Sequence, residues 1–311
     1  MKVLFSGTAG PRGWPEPGCP CASCARLPRG HRRPTQVVVD GRPGLAHPEV
    51  LHLPAGAKEP PGGGPYRLVL IDLLEAPERL GDLRRRGVVG ERTHVVAVDL
   101  DHRIRSEHEL ARRLELWGVR AVPDGSLIDL AQPPPVRRAQ PRRSLLLGGS
   151  RSGKSAEAEL RLAAEPSITY VATGPAGAGD AEWAARVRAH RERRPAHWDT
   201  VETTDLAGTI AGARAPLLID GLGTWVAAVF DELGAWDGGR ERVERRCDEL
   251  VEAWRRTPER LVAVSDEVGL GVVPGSSSGR AFRDVLGRLN ERLAAESEDV
   301  ALVVAGRVTP L

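Results

Sequence analysis

Lysine is nearly missing from this 311-residue chain: only Lys2, Lys58 and Lys154 occur, among 44 basic side chains. Where almost every cation is arginine, a retained lysine marks a position that needs a compact point charge in place of a planar fork. Long apolar runs are missing as well. Runs such as Leu68 to Ile71, Val95 to Val98 and Leu261 to Val264 are strand-sized and far short of the roughly 20 residues a membrane helix needs. No membrane span is expected. Gly7, Thr8 and Gly10 fall where a secretory signal would carry its apolar stretch, so the cytoplasm is the expected compartment. Neither sign of charge dominates, since 44 basic and 42 acidic residues leave a net +2, and no overall field draws the chain onto nucleic acid or an anionic surface. Cysteine is scarce: Cys19, Cys21, Cys24 and Cys247 make no disulfide framework for a chain of this length.

What is present divides in two. The stretch Ala131 to Pro141, AQPPPVRRAQP, has no apolar periodicity and reads as an extended linker, so the expected units are residues 1–130 and 142–311. Before the linker, short strands are expected at Lys2 to Phe5, Gln36 to Val39, Leu68 to Asp72 and Thr93 to Asp99, with a helix from Ser106 to Trp117. Beyond it, apolar runs at Ser144 to Leu147, Ile168 to Ala172, Leu217 to Asp220, Leu261 to Val264 and Val300 to Val304 alternate with helical patterns. Those patterns lie at Lys154 to Ala164, Ala181 to Arg193, Arg240 to Arg255 and Gly279 to Ala295. This is α/β order, and strands that are apolar at every position predict a parallel sheet covered on both faces. Ligands of such sheets sit beyond the strand C-termini.

One motif falls at such a place. Gly148-Gly149-Ser150-Arg151-Ser152-Gly153-Lys154-Ser155 matches G-x-x-x-x-G-K-S/T directly after one expected strand and directly before an expected helix. Glycines let the backbone wrap so that its N–H groups, with the helix N-terminus, face nucleotide phosphates. Lys154 then neutralises the outer phosphates and the Ser155 hydroxyl ligates Mg²⁺. Asp220 ends the apolar run Leu217-Leu218-Ile219, where a P-loop enzyme places the carboxylate that holds Mg²⁺. A turn or helix-cap aspartate is the competing reading of that position.

Two histidines lie beyond the linker, His190 and His197, beside the arginine-dense segment Arg186 to Arg194. A histidine among charges commonly belongs to a solvated helix face. The competing reading is chemical: neighbouring cations attract a triphosphate and disfavour the imidazolium, leaving a neutral ring able to attack phosphorus.

Three blocks then carry a family resemblance: LLLGGSRSGKSAEAE; YVATG followed by EWAARVRAHRERRPAHWDTVET; and VSDEVGLGVVPGSSSGRAFRDVLGRLNERLA. They are similar to the bifunctional adenosylcobinamide kinase / adenosylcobinamide-phosphate guanylyltransferases of cobalamin biosynthesis, from Arg142 to Leu311. The third block is the most specific, with Arg280, Phe282, Arg283, Asp284, Gly287 and Asn290 following a glycine/valine loop. The resemblance implies a P-loop NTPase with a RecA-like, mostly parallel sheet, assembled as a homotrimer. It implies phosphorylation of adenosylcobinamide by ATP or GTP, then transfer of GMP from GTP, through a guanylylated histidine, to adenosylcobinamide phosphate. His190 matches that histidine, and Thr173, Gly174, Arg191, Glu192, Arg193, Arg194 and Glu202 match GTP-contacting positions. Asp266 stands where relatives usually carry asparagine. A P-loop kinase acting on another alcohol, and a regulatory nucleotide-binding module, are the competing functions.

The opening segment MKVLFSGTAGPRGWPEPGCPCASC resembles the first strand and loop of metallo-β-lactamase-fold hydrolases, some of which hold a structural zinc on such cysteines. The H-x-H-x-D-H motif of those enzymes does not occur, which implies a small, degenerate, non-catalytic α+β unit. Cys19, Cys21 and Cys24 supply three soft ligands for Zn²⁺, and a nearby histidine such as His31 would complete a tetrahedral site. Three free thiols are the competing reading.

Overall fold

The computed structural model describes residues 1–44, 47–58, 63–174, 188 and 194–311. It separates into two compact units, one comprising Met1–Ala139 with Ala163–Pro166 and the other Gln140–Leu162 with Ser167–Leu311.

The first unit contains two sheets. Strands β1 (Lys2–Gly7), β2 (Gln36–Val39), β3 (Arg42–Pro43) and β7 (Ser126–Asp129) form an antiparallel sheet in the order β3-β2-β1-β7. Strands β4 (Val50–Leu53), β5 (Leu68–Ile71) and β6 (His94–Ala97) form a parallel one. Alternate residues of β1, Val3 and Phe5, face the same core as Leu68, Leu70 and Val96, so the two sheets close on a shared apolar layer. Helix Glu107–Trp117 begins where Ser106 accepts a hydrogen bond from the Glu109 N–H and ends at Gly118, whose φ of 62° suits the left-handed cap. Helix Glu78–Arg85 and strands β4 and β7 are elements that apolar patterning did not reveal.

The second unit is a seven-stranded sheet of β8 (Arg143–Gly148), β9 (Thr169–Ala172), β10 (Asp199–Glu202), β11 (Leu217–Asp220), β12 (Leu261–Asp266), β13 (Asp299–Val304) and β14 (Arg307–Pro310). Its order is β10-β9-β11-β12-β8-β13-β14, with every neighbouring pair parallel except β13 with β14. This is the mostly parallel α/β P-loop sheet expected. Leu145, Leu147, Leu217, Ile219, Leu261 and Ala263 point to one face, against helices Leu206–Ala211, Leu222–Leu233, Arg240–Arg256 and Ser277–Ala295. Leu146, Leu218, Val262 and Val264 point to the other, against Ala158 and Leu162 of helix Lys154–Leu162. Burial on both faces is why these strands lack alternation, and each fully buried Leu, Ile or Val contributes about 1.5–3 kcal/mol. Helix Lys154–Leu162 stops two residues before the expected Ala164. The expected helix Ala181 to Arg193 lies outside the described residues, apart from Arg188.

Candidate functional site

β8 ends at Gly148, and the loop that follows turns straight into helix Lys154–Leu162. Two glycines in it are fixed by space and backbone angle. A Cβ on Gly148 would lie 2.6 Å from both Ser152 Oγ and the Val303 carbonyl oxygen, and Gly153 holds φ +97° with Gly306 Cα 3.2 Å from where its Cβ would be. The Gly306 N–H donates to the Ser152 carbonyl at 2.7 Å, so the β13–β14 turn braces the loop from outside. Arg151 is held at φ 56°, a left-handed angle that costs a non-glycine residue free energy and persists where the surroundings enforce it. Such alternating backbone angles turn successive N–H groups toward a common point, the geometry of an anion nest.

Around this loop the structure brings together five of the sequence-derived residues, Lys154, Ser155, Asp220, Thr173 and Arg194, and two that sequence reasoning did not assign. Lys154 Nζ lies 3.1 Å from the Gly149 carbonyl oxygen and 2.8 Å from Asp266 Oδ1. The Ser155 hydroxyl donates to Asp220 Oδ1 at 2.9 Å, and the Tyr170 hydroxyl donates a short bond to Asp220 Oδ2. Both oxygens of Asp220 are therefore aimed by hydroxyl donors, which leaves the carboxylate oriented toward Ser155. Tyr170 is buried, and burial first, then the Asp220 charge, pushes its phenol well above its ordinary pKa, so it stays a donor at neutral pH. Thr173, also buried, donates to the Gly221 carbonyl at 2.7 Å and ties the end of β9 to the end of β11. Arg194 stacks its guanidinium 3.5 Å from the centre of the Tyr170 ring.

Glu202 ends the exposed strand β10 beside β9, and Gly174 follows Thr173. His190, Arg191, Glu192 and Arg193 lie outside the described residues. Asp266 and Tyr170 are the two residues that sequence reasoning gave no role. Asp266 follows the apolar run Leu261 to Val264 after a single serine, which was the available signal; nothing in the sequence marks Tyr170.

In the first unit, Cys19, Cys21, Cys24 and His102 offer ligand atoms that all lie within 4.8 Å of one another. The cysteine loop follows β1 and His102 follows β6. Ser23 joins them by accepting from Trp14 Nε1 at 3.1 Å and donating to the Ile104 carbonyl at 2.6 Å. Cys24 Sγ sits 3.7 Å from His102 Nδ1. Burial pushes the Cys24 thiol up to about 11, while the backbone N–H of Cys24 lowers the pKa of Cys21. The expected fourth ligand is corrected: His31 Nε2 is engaged by Glu107 Oε1 at 2.7 Å and packs edge-on against Trp14, and His102 takes its place. Three sulfurs and one imidazole nitrogen at this spacing are a donor set that suits tetrahedral Zn²⁺.

Strand, glycine loop, lysine-led helix and a carboxylate at a neighbouring strand end, all on a parallel sheet, define the second unit as a P-loop nucleotide fold. The family described as "Cobinamide kinase / cobinamide phosphate guanyltransferase" matches residues 144–311, and the chain belongs to it. Among its relatives is the bifunctional adenosylcobalamin biosynthesis protein CobU of Salmonella typhimurium, 39% identical over 181 residues that cover 52% of this chain and 95% of the relative. The bifunctional adenosylcobalamin biosynthesis protein CobP of Pseudomonas aeruginosa is 43% identical over 177 residues, 54% of this chain and 96% of the relative. CobU of Escherichia coli is 36% identical over 174 residues, 52% of this chain and 95% of the relative. The family match begins after Ala139, where the main segment of the first unit ends.

Proposed function

We propose that the second unit is an adenosylcobinamide kinase and adenosylcobinamide-phosphate guanylyltransferase, acting in assembly of the cobalamin nucleotide loop. The observation that carries this reading is the phosphate loop itself, with Lys154, Ser155 and Asp220 gathered at the end of β8 in a unit that belongs to the cobinamide kinase family. In the first reaction the side-chain hydroxyl oxygen of the corrinoid attacks the γ-phosphorus of ATP or GTP, the bond to the β-phosphate oxygen breaks, and the nucleoside diphosphate leaves. The hydroxyl proton passes to solvent. Lys154 and the loop N–H groups neutralise and align the phosphates, so most of the acceleration is positioning and charge stabilisation. Ser155 and Asp220 are the groups that would hold Mg²⁺, which shields the phosphate charge when bound.

In the second reaction a ring nitrogen of His190 attacks the α-phosphorus of GTP and pyrophosphate leaves. A phosphate oxygen of adenosylcobinamide phosphate then displaces the histidine, breaking the N–P bond and giving adenosylcobinamide-GDP. Thr173, Gly174, Arg191, Glu192, Arg193, Arg194 and Glu202 are proposed to contact the guanosine triphosphate, and the working assembly is proposed to be a homotrimer. The test uses GTP labelled at the α-phosphate: acid-labile, base-stable label should appear on the protein and chase into corrinoid on adding adenosylcobinamide phosphate. Corrinoid phosphorylation without protein label would leave a kinase only. Bound nucleotide with neither activity would leave a regulatory module.

Each of the two metals in this reading has its own test. Tyr170 orients Asp220, so Tyr170→Phe is expected to raise the Mg²⁺ concentration for half-maximal kinase turnover about three- to tenfold, the scale of one hydrogen bond of ordinary net worth. Nucleotide binding measured without Mg²⁺ should move far less, and an unaltered Mg²⁺ requirement would remove Tyr170 from the metal site. The first unit is proposed to be a non-catalytic remnant of a metallo-β-lactamase-like hydrolase that keeps a structural zinc on Cys19, Cys21, Cys24 and His102. Protein produced with ample zinc should carry close to one equivalent by elemental analysis. Cys24→Ser and His102→Ala should each lose most of it, because structural zinc binds through all four ligands. Metal-free wild-type protein would show that the cluster is a set of thiols.

A further inference from the structure

We propose that Asp266 is a positioning residue that holds Lys154 away from the nucleotide until a triphosphate displaces it, and thereby sets how tightly the phosphate loop takes its ligand. The inference rests on the phosphate-loop reading above. β12 lies directly beside β8, with Asp266 in register with Gly148, the first residue of the loop. The Asp266 carboxylate is 2.8 Å from Lys154 Nζ, an ammonium only 13% exposed. It is held there from behind. Asn290 donates from Nδ2 to the Asp266 carbonyl at 3.1 Å and accepts from the Ser265 hydroxyl at 2.6 Å, which pins the end of β12 to helix Ser277–Ala295. Gly223, in the first turn of helix Leu222–Leu233, leaves the space the carboxylate occupies, since a Cβ there would fall 2.5 Å from Asp266 Oδ2. The N-terminal end of that helix also favours the negative charge.

The two carboxylates at the strand ends differ in what a nucleotide does to them. Asp220 is held by two hydroxyl donors, Ser155 and Tyr170, and a bound cation is compatible with both. Asp266 is held by the very ammonium that the outer phosphates require. When a triphosphate enters, Lys154 turns from Asp266 to the phosphates, and the carboxylate, 38% exposed, is left facing a polyanion. Both effects oppose binding, so removal of the charge should strengthen it.

The experiment measures binding of a non-hydrolysable ATP or GTP analogue to the full chain by calorimetry, in wild type, Asp266→Asn and Asp266→Ala, the alanine variant serving as a second probe should the amide disturb folding. Expected is a dissociation constant about two- to fivefold lower in both variants, the scale of a partly exposed ion pair. The KM for nucleotide in the kinase assay should fall with it. In a Lys154→Ala background the same substitutions should gain less, because the ion pair is already gone and only the repulsion between the carboxylate and the polyanion remains to be relieved. Unchanged or weaker binding in the two variants overturns the proposal, and weaker binding would make Asp266 a direct aid to the phosphates or their metal. Should wild type bind the analogue no better than Lys154→Ala, the phosphate-loop reading falls instead, which separates the two failures.

Discussion

Lys154→Ala is expected to lower kcat/KM for the nucleotide by roughly 10²–10³-fold in the kinase reaction, the scale seen when one preorganised charge donor is removed from a transition state. The ammonium lies at the base of the loop, 3.1 Å from the Gly149 carbonyl, with little room around it. Lys154 is the one lysine in the sequence of the second unit. Arginine should not substitute, since a planar guanidinium delivers its charge along fixed directions and needs more space than the compact ammonium. Steady-state kinetics with saturating corrinoid would check both variants. Retention of more than about a tenth of wild-type activity in Lys154→Ala would mean that other groups carry the phosphates.

His190→Ala is expected to abolish covalent guanylylation, with protein-bound label falling at least 10²-fold, because covalent catalysis has no substitute nucleophile once the imidazole is gone. Kinase activity should survive in the same protein, which makes the pair of assays a separation of function. The neutral ring is the attacking species, so label formation should fade in acid, where the ring is protonated. Undiminished label in the alanine variant would place the nucleophile elsewhere, and mapping the labelled peptide would locate it.

The parts of this site that could be read in the sequence are those built from consecutive residues. Gly148 to Ser155 declares itself because strand, loop and helix follow one another along the chain, and the apolar runs of β8, β11 and β12 are continuous because both faces are covered. Asp266 and Tyr170 are functional only by strand order. β12 lies between β8 and β11 and puts Asp266 beside Gly148, while β9 next to β11 puts the Tyr170 hydroxyl on Asp220. No local pattern encodes that order. Helix Leu222–Leu233 escaped notice for a different reason: Leu222, Trp225, Val226, Val229 and Phe230 are buried and the segment carries few charges, so its polar face is thin. β10 is exposed at all four positions and shows no apolar signal. In the first unit, the cysteine spacing announced three ligands, but the fourth came from His102, a choice made by the Ser23 and Ile104 contact and by Glu107 claiming His31.

The bracing of the phosphate loop by the β13–β14 turn bears on how the protein is made. Gly148 and Ser152 emerge from the ribosome long before Val303 and Gly306, the residues that close against them. At the usual pace of synthesis the interval is on the order of ten seconds. Throughout it the nascent loop lacks the Val303 and Gly306 contacts, so the outer wall of the phosphate loop is among the last parts of the domain to form.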